Sequence, residues 1–402
     1  MSFFDELPDI EEKNSFFNNQ YELDTRKNKI NASIGLIYSS DDNTKLESYS
    51  FMNEIEKRLY DKNLNKEYST LQGIPDFMTS VFNLFFPDEN LNDSKIIVSQ
   101  SMTGGSALRL GAEIIKNYIS ECIYTSNETF SLYYNIFNRL EIKTYPYYEY
   151  NENNNSNFCF DKTKEYFKNL PNNSVVNLQL SSHNPTGLDP DYNQWEELAN
   201  IFKEKNHLAF FDCAYLGYGS GSFEEDLTGV RIFQKYGLEF MLAVSTGKPF
   251  LNCSNDIGIF FACINDHNSR KNVKNLISVL NRSKFSFPSL HGARIIMEIL
   301  NDKNVKEKWI QEHSNIFKRV YSIRLRIIDS LEKLNKSNIS ESKIKFLKEQ
   351  KGLYMYLDID NEKVELLKKE YGIYLSNKGR INITSINNSN IEYFVNSIAK
   401  VL

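Results

Sequence analysis

The 402-residue sequence predicts an α/β protein: a mostly parallel sheet flanked by helices, with a second, smaller α/β lobe. Two observations carry this expectation. Between about Lys95 and Phe261, short β-rich runs alternate with helical patterns, as in successive βα units whose sheet is covered on both faces. From about Pro288 onward the pattern turns helical, and short strands then return with helical runs between and after them. A chain of this length buries a large core and is expected to divide into more than one lobe.

Taken in order, the N-terminal stretch MSFFDELPDIEEKNSFF has acidic residues where a transit peptide carries arginines, and no apolar run of the secretory kind. A mature cytoplasmic protein is expected. The runs KIIVS, CIYTS, EIKTYPY, VVNLQL, LAFFD, FMLAV and GIFFACI are the candidate strands of the sheet. The Asn-rich patch from Asn151 to Asn157 reads as a surface loop. Asp189 followed by Pro190 signals a helix over DYNQWEELANIFKEK, with Trp195, Leu198, Ile201 and Phe202 on one apolar stripe. GYGSG, Gly217 to Gly221, does not spell GxGxxG and reads as a flexible turn. The stretch IFKRVYSIRLRIIDSLEKL predicts a long charged helix, and GLYMYLDI, GIYLS and RINIT are the strands of the smaller lobe.

A net charge of -5 supplies no global field for nucleic acid or an anionic membrane. No run approaches the roughly twenty apolar residues that cross a bilayer. The five cysteines, Cys122, Cys159, Cys213, Cys253 and Cys263, are odd in number and form no CxxC pair. The five histidines, His183, His207, His267, His291 and His313, are too scattered for a ligand motif, so no metal is expected.

In open parallel sheets, ligands bind beyond the carboxyl ends of the strands. Three polar segments fall there: SSHNPTG after VVNLQL, DCAYLGYGSG after LAFF, and STGK after FMLAV. STGK is not a P-loop tail, because Leu242 stands where that pattern needs glycine. Lys248 ends this segment with an apolar strand behind it. A lysine desolvated there keeps a free amine available for a Schiff base with an aldehyde, whereas a solvated turn lysine merely carries charge.

In this order, HNPTG at His183 to Gly187, FFDCAY at Phe210 to Tyr215, Lys248, and GRINIT at Gly379 to Thr384 resemble the aspartate aminotransferase family of fold type I pyridoxal-phosphate enzymes. NASIG, SALRLGAE and HGARI extend the likeness over nearly the whole chain. The resemblance implies a homodimer with active sites shared across the interface. It also implies an N-terminal arm at residues 1–14, a large cofactor domain at 47–312, and a small domain made of 15–46 and 313–402.

It implies the site residues as well. Lys248 would hold pyridoxal 5′-phosphate and shuttle the substrate's α-proton. Asp212 would pair with the pyridine nitrogen, Tyr215 and Asn184 would donate to the ring's phenolate oxygen, and Phe130 would stack on the ring. Arg380 would take the substrate α-carboxylate beside Gly35 and Asn184. Arg282, reaching in from the neighbouring subunit, would take a side-chain carboxylate, so that two planar forks select aspartate, glutamate and their 2-oxo acids. Ser245, Thr103, Gly104, Gly105 and the partner's Tyr68 would surround the cofactor phosphate.

One part of the pattern departs. The family's second phosphate-binding serine is Gly247 here, its threonine is Gly105, and the position of its phosphate-binding arginine is Asp256. No arginine occurs between Arg231 and Arg270 to replace it. Asp256→Arg and Gly247→Ser are therefore both expected to tighten cofactor binding. The alternative reading is a non-catalytic protein that keeps the dimeric fold for binding or structure.

Overall fold

The seven β-rich runs become one seven-stranded sheet: β1 (Ile96–Ser101), β2 (Cys122–Ser126), β3 (Lys143–Tyr147), β4 (Val175–Gln179), β5 (Leu208–Cys213), β6 (Phe240–Ser245) and β7 (Gly258–Cys263). Their order across the sheet is β1-β7-β6-β5-β4-β2-β3. Most of the strands read as apolar runs because they are buried on both faces, with all six residues of β1 and of β7 buried, while the edge strand β3 leaves Lys143 and Tyr145 exposed. β7 runs antiparallel to both its neighbours, while β6, β5, β4, β2 and β3 pair in parallel. The register sets Gln179 beside Asp212 and Asp212 beside Ala243, so the carboxyl ends of β4, β5 and β6 lie level at one rim.

The computed structural model describes residues 19–40, 45–147, 150–151, 155–158, 160–334 and 339–402. The expected arm at 1–14 lies outside them, as does Cys159; Cys122, Cys213, Cys253 and Cys263 are free thiols.

Helix α1 (Gly104–Ile114) follows β1 and is opened by a capping box between Thr103 and Ser106. Helix α2 (Tyr192–Lys205) carries the expected stripe, with Trp195, Leu198, Ile201 and Phe202 all buried. Its cap differs from the sequence expectation. Asp191, in a capping box with Gln194, opens the helix, and Asp189 instead accepts the N–H groups of Ser182 (2.7 Å) and His183 (2.8 Å). Pro190 thereby lies just outside the helix, and Asp189 has its carboxylate committed to the backbone of the SSHNPTG segment.

Two further expectations are corrected. The patch read as a loop at Asn151 to Asn157 contributes to two short antiparallel strands, Tyr150–Asn151 and Asn155–Phe158. The GYGSG segment is pinned rather than flexible, because the buried Asp226 carboxylate accepts from the N–H groups of Gly217 (2.7 Å), Gly219 (3.0 Å) and Ser220 (2.8 Å). The hydroxyls of Ser220 (2.7 Å) and Ser181 (3.2 Å) complete that set.

Helices α3 (His267–Lys284) and α4 (Lys303–Leu334) follow, the latter 32 residues long with Trp309, Ile316, Val320, Ile323 and Ile327 on its buried side. The smaller lobe joins both ends of the described chain. Ile30–Asn31 pairs in parallel with Ile373–Tyr374, and Tyr354–Tyr356 pairs antiparallel with Arg380–Asn382.

Candidate active site

Lys248 stands three residues beyond β6, in a turn fixed from behind. The carbonyl of Pro249 accepts from the Tyr49 hydroxyl (2.7 Å) and the Trp309 indole N–H (2.9 Å), and Phe250 stacks on Trp309 at 4.6 Å. The Lys248 amine lies 5.2 Å from the centre of the Tyr215 ring. The turn that carries Lys248 is thus backed by aromatic side chains.

Asp212, at the end of β5, is 8% exposed. Burial pushes its carboxyl up to about 6, against the lowering effects of a hydrogen bond from Tyr133 and the charge of Lys248. The Tyr133 hydroxyl donates to Oδ2 at 2.5 Å. Sequence reasoning missed Tyr133. Its signal was its place three residues after Phe130, on the opening turn of the helix Ser131–Arg139, and the two rings meet edge to face at 5.9 Å.

Asn184 is held by Gln179, which accepts its backbone N–H (2.8 Å) and donates to its carbonyl (3.0 Å). Its side-chain amide donates to the Tyr215 hydroxyl at 3.4 Å, and its Oδ1 accepts from Arg380 Nη1 at 2.9 Å. Arg380 Nη2 donates to the Ser33 carbonyl (2.7 Å) and to the Ser376 hydroxyl (2.9 Å). Three of the five guanidinium N–H groups are thus engaged; the Nε–H is buried and has no partner among the described residues, and one Nη1–H is left uncommitted.

Tyr354 is a second residue the sequence did not single out. Its hydroxyl meets that of Tyr215 at 3.0 Å, and the Arg380 guanidinium lies 4.3 Å from its ring centre. Burial, with Tyr354 next to it, holds the Tyr215 phenol well above its usual range. Gly35 makes room for this arrangement: a Cβ there would sit 2.1 Å from the Tyr354 hydroxyl oxygen.

The 5′ end of the candidate cofactor site has a different character. Gly104 and Ser245 are in contact, since a Cβ on Gly104 would lie 2.5 Å from that of Ser245. Both donate to Asp256: the Gly104 N–H to Oδ2 (3.2 Å) and the Ser245 hydroxyl to Oδ1 (3.1 Å) and Oδ2 (3.3 Å). The Gly247 N–H donates to Oδ1 at 2.7 Å, and the Thr246 hydroxyl stands 3.5 Å away. Thr103 is occupied as the cap of α1, its hydroxyl accepting from the Ser106 N–H (3.2 Å). Beside Gly105 there is space, with Leu132 at 3.4 Å and Thr103 at 3.8 Å from a built Cβ.

Tyr68 and Arg282 lie apart from this cluster but close to each other. Tyr68 is 78% exposed and stacks on Phe287 at 4.5 Å, while the guanidinium of Arg282, on the last turn of α3, is 5.3 Å from the same ring. The structure thus brings Lys248, Asp212, Tyr215, Asn184 and Arg380 together, and leaves Tyr68 and Arg282 as a pair facing outward.

Residues 28–398 match the family described as aminotransferase class I and II. The mitochondrial aspartate aminotransferase of Dictyostelium discoideum is 30% identical over 389 residues, covering 95% of this chain and 88% of the relative. Among solved structures, a cytoplasmic aspartate aminotransferase from Giardia lamblia superposes with a TM-score of 0.91 at 25% identity, over 100% of this chain and 98% of the other. An aromatic-amino-acid aminotransferase from Burkholderia pseudomallei, covalently bound to pyridoxal phosphate, superposes with a TM-score of 0.92 over the whole of both chains at 24% identity, a likeness of fold.

Proposed function

The chain belongs to the aminotransferase class I and II family, and from that premise we propose that it moves amino groups between aspartate or glutamate and their 2-oxo acids. The observation that carries this reading is the convergence of Lys248, Asp212, Tyr215, Asn184 and Arg380 at the rim formed by β4, β5 and β6. These residues fit the ring of a pyridoxal cofactor. The buried Asp212 carboxylate suits the pyridine nitrogen, Tyr215 and Asn184 offer donors for the phenolate oxygen, and Phe130 offers a ring face.

Pyridoxal phosphate, when bound, supplies the electron sink that stabilises charge at the substrate's α-carbon. The chain's own residues supply the rest. Lys248 takes the proton from that carbon and returns it. Arg380 offers its Nη groups to the α-carboxylate, exchanging the Nη1 bond to Asn184 Oδ1 for the substrate. Burial disfavours the charge on Asp212, and the Tyr133 hydroxyl and the charge of Lys248 work against that burial to favour it.

The pairing of Tyr68 and Arg282 through Phe287 supports a homodimer in which Arg282 takes the second carboxylate in the partner's site. The pairing of Ile30–Asn31 with Ile373–Tyr374 supports a small domain built from 15–46 and 313–402 against a large one at 47–312. A cytoplasmic location is part of the same proposal. Among the described residues no helix is long and apolar enough to cross a membrane.

The second reading, a cofactor-poor protein that keeps the fold, is favoured by one observation: Asp256 occupies the anion-binding donors. The test is oxaloacetate formation from aspartate and 2-oxoglutarate at saturating pyridoxal phosphate. Turnover that Lys248→Ala abolishes is the expected result. No turnover in the wild-type protein, with either pyridoxal phosphate or pyridoxal, would favour the second reading instead.

A further inference from the structure

The cup that should receive the cofactor's phosphate already holds an anion belonging to the chain. Asp256 accepts from the first turn of α1 through the Gly104 N–H, from the Gly247 N–H and from the Ser245 hydroxyl, with the Thr246 hydroxyl at the margin. A helix N-terminus with converging N–H and O–H donors is an anion site by its electrostatics. Here those donors are already directed at a carboxylate.

The backbone is shaped to that carboxylate. A Cβ on Gly247 would lie 3.1 Å from Asp256 Oδ1, 3.3 Å from its Cγ and 3.3 Å from the Cys253 Cα. The glycine at 247 and the aspartate at 256 are therefore one fitted pair, not two separate losses. At Gly105, by contrast, the neighbours of a built Cβ are at ordinary contact distances.

A phosphate entering this cup would meet a like charge and find its donors engaged. Charge of the same sign within a few ångströms disfavours the second anion, and no arginine between Arg231 and Arg270 can neutralise either one. A hydroxymethyl group brings no charge and carries an O–H, which a carboxylate accepts readily.

We propose that this site takes a pyridoxal-type ring with an uncharged 5′ end at least as well as the phosphorylated ring, with Asp256 as the acceptor for the 5′-hydroxyl. The phosphate then contributes no net affinity. The inference rests on the reading that the Lys248 site holds such a ring, and it specifies which form of the ring the site prefers.

The test uses pyridoxamine and pyridoxamine 5′-phosphate, which have no aldehyde and therefore report the 5′ end without reaction at Lys248. Calorimetric titration of the full-length wild-type protein is expected to give a dissociation constant for pyridoxamine equal to or lower than that for its phosphate. In Asp256→Arg the ratio is expected to swing by about a hundredfold or more toward the phosphate, the effect of exchanging a repulsion for a charge-assisted pair. Asp256→Asn, nearly isosteric, is expected to move it part of the way, and covers the case in which the arginine variant fails to fold. Wild-type binding of the phosphate a hundredfold tighter than pyridoxamine would overturn the inference and leave the proposed function standing. An unchanged ratio in both variants would also overturn it. If neither compound binds the wild-type protein, the ring-binding reading itself fails.

Discussion

Removing one hydroxyl beside Asp212 is expected to change how stability depends on pH. In Tyr133→Phe the 2.5 Å bond to Asp212 Oδ2 is lost while the ring and its packing against Phe130 remain. Burial already raises Asp212 from its ordinary 3.8 to about 6. The folded protein therefore binds the proton more tightly than the unfolded chain, and stability falls as pH rises through this window, by about 3 kcal/mol for this group. A hydrogen bond to a charged acceptor contributes about 1.5–3 kcal/mol, so its loss should carry the Asp212 titration upward by a further one to two pH units, roughly. The variant should thus keep losing stability above about pH 7, where the wild-type contribution of Asp212 has levelled off. Asp226, also pushed up to about 6 by burial, adds to the slope of both proteins and cancels in their difference. The assay is urea unfolding of wild type, Tyr133→Phe and Tyr133→Phe/Asp212→Asn at intervals from pH 4 to pH 8. Parallel profiles for wild type and Tyr133→Phe above about pH 7 would refute the reasoning, as would extra slope that survives in the double variant.

Asp226→Asn should cost about 3 kcal/mol in urea unfolding, because an amide N–H₂ would replace one of the two carboxylate oxygens, of which Oδ2 accepts from three donors and Oδ1 from two. A loss under about 0.5 kcal/mol would mean that the GYGSG segment holds its shape without the acid. Arg282→Ala should depress turnover of aspartate far more than that of phenylalanine, and equal losses would remove Arg282 from the site. Gly247→Ser should not tighten cofactor binding by itself, contrary to the hydroxyl count made from sequence, since its Cβ would crowd Asp256 Oδ1. Its gain should appear only in an Asp256→Arg background; additive effects in the double-mutant cycle, within about 0.5 kcal/mol, would show the two positions to be independent.

The central strands could be read from the sequence because they are buried on both faces and so form apolar runs such as FMLAV and GIFFACI, whereas the edge strand Lys143–Tyr147, with Lys143 and Tyr145 exposed, was legible only through its β-rich composition. The strand-end placement of Asn184, Asp212 and Lys248 followed from the same runs, with the register of β4, β5 and β6 setting their ends level. What could not be read depends on contacts between distant segments. Tyr354 reaches Tyr215 across 139 residues, and nothing in GLYMYLDI distinguishes its hydroxyl from that of Tyr356, which donates instead to Glu128 at 3.0 Å. Asp226 was invisible, and Asp189 was read as a helix start rather than as an acceptor for the backbone, for a related reason. A carboxylate that organises backbone N–H groups leaves no periodic trace, and GYGSG alone says only that the chain can turn there.

Asp256 separates two histories that the sequence cannot distinguish. Had the phosphate cup merely decayed, its donors would be left unpaired; the Gly104 and Gly247 N–H groups and the Ser245 hydroxyl would then carry the desolvation cost of unmade bonds, about 1–3 kcal/mol each where buried. Every one of them instead has a carboxylate oxygen at 2.7–3.2 Å. The site's other half shows no such substitution: Asp212 keeps Tyr133, Asn184 keeps Gln179 and Arg380, and Lys248 keeps its buried backing. A cup refilled with a fixed anion next to an intact ring site is a change of ligand preference at one end. Loss of function would give no reason for the ring-facing residues to remain assembled, so the pattern favours a working site with an altered 5′ end over a vestigial one.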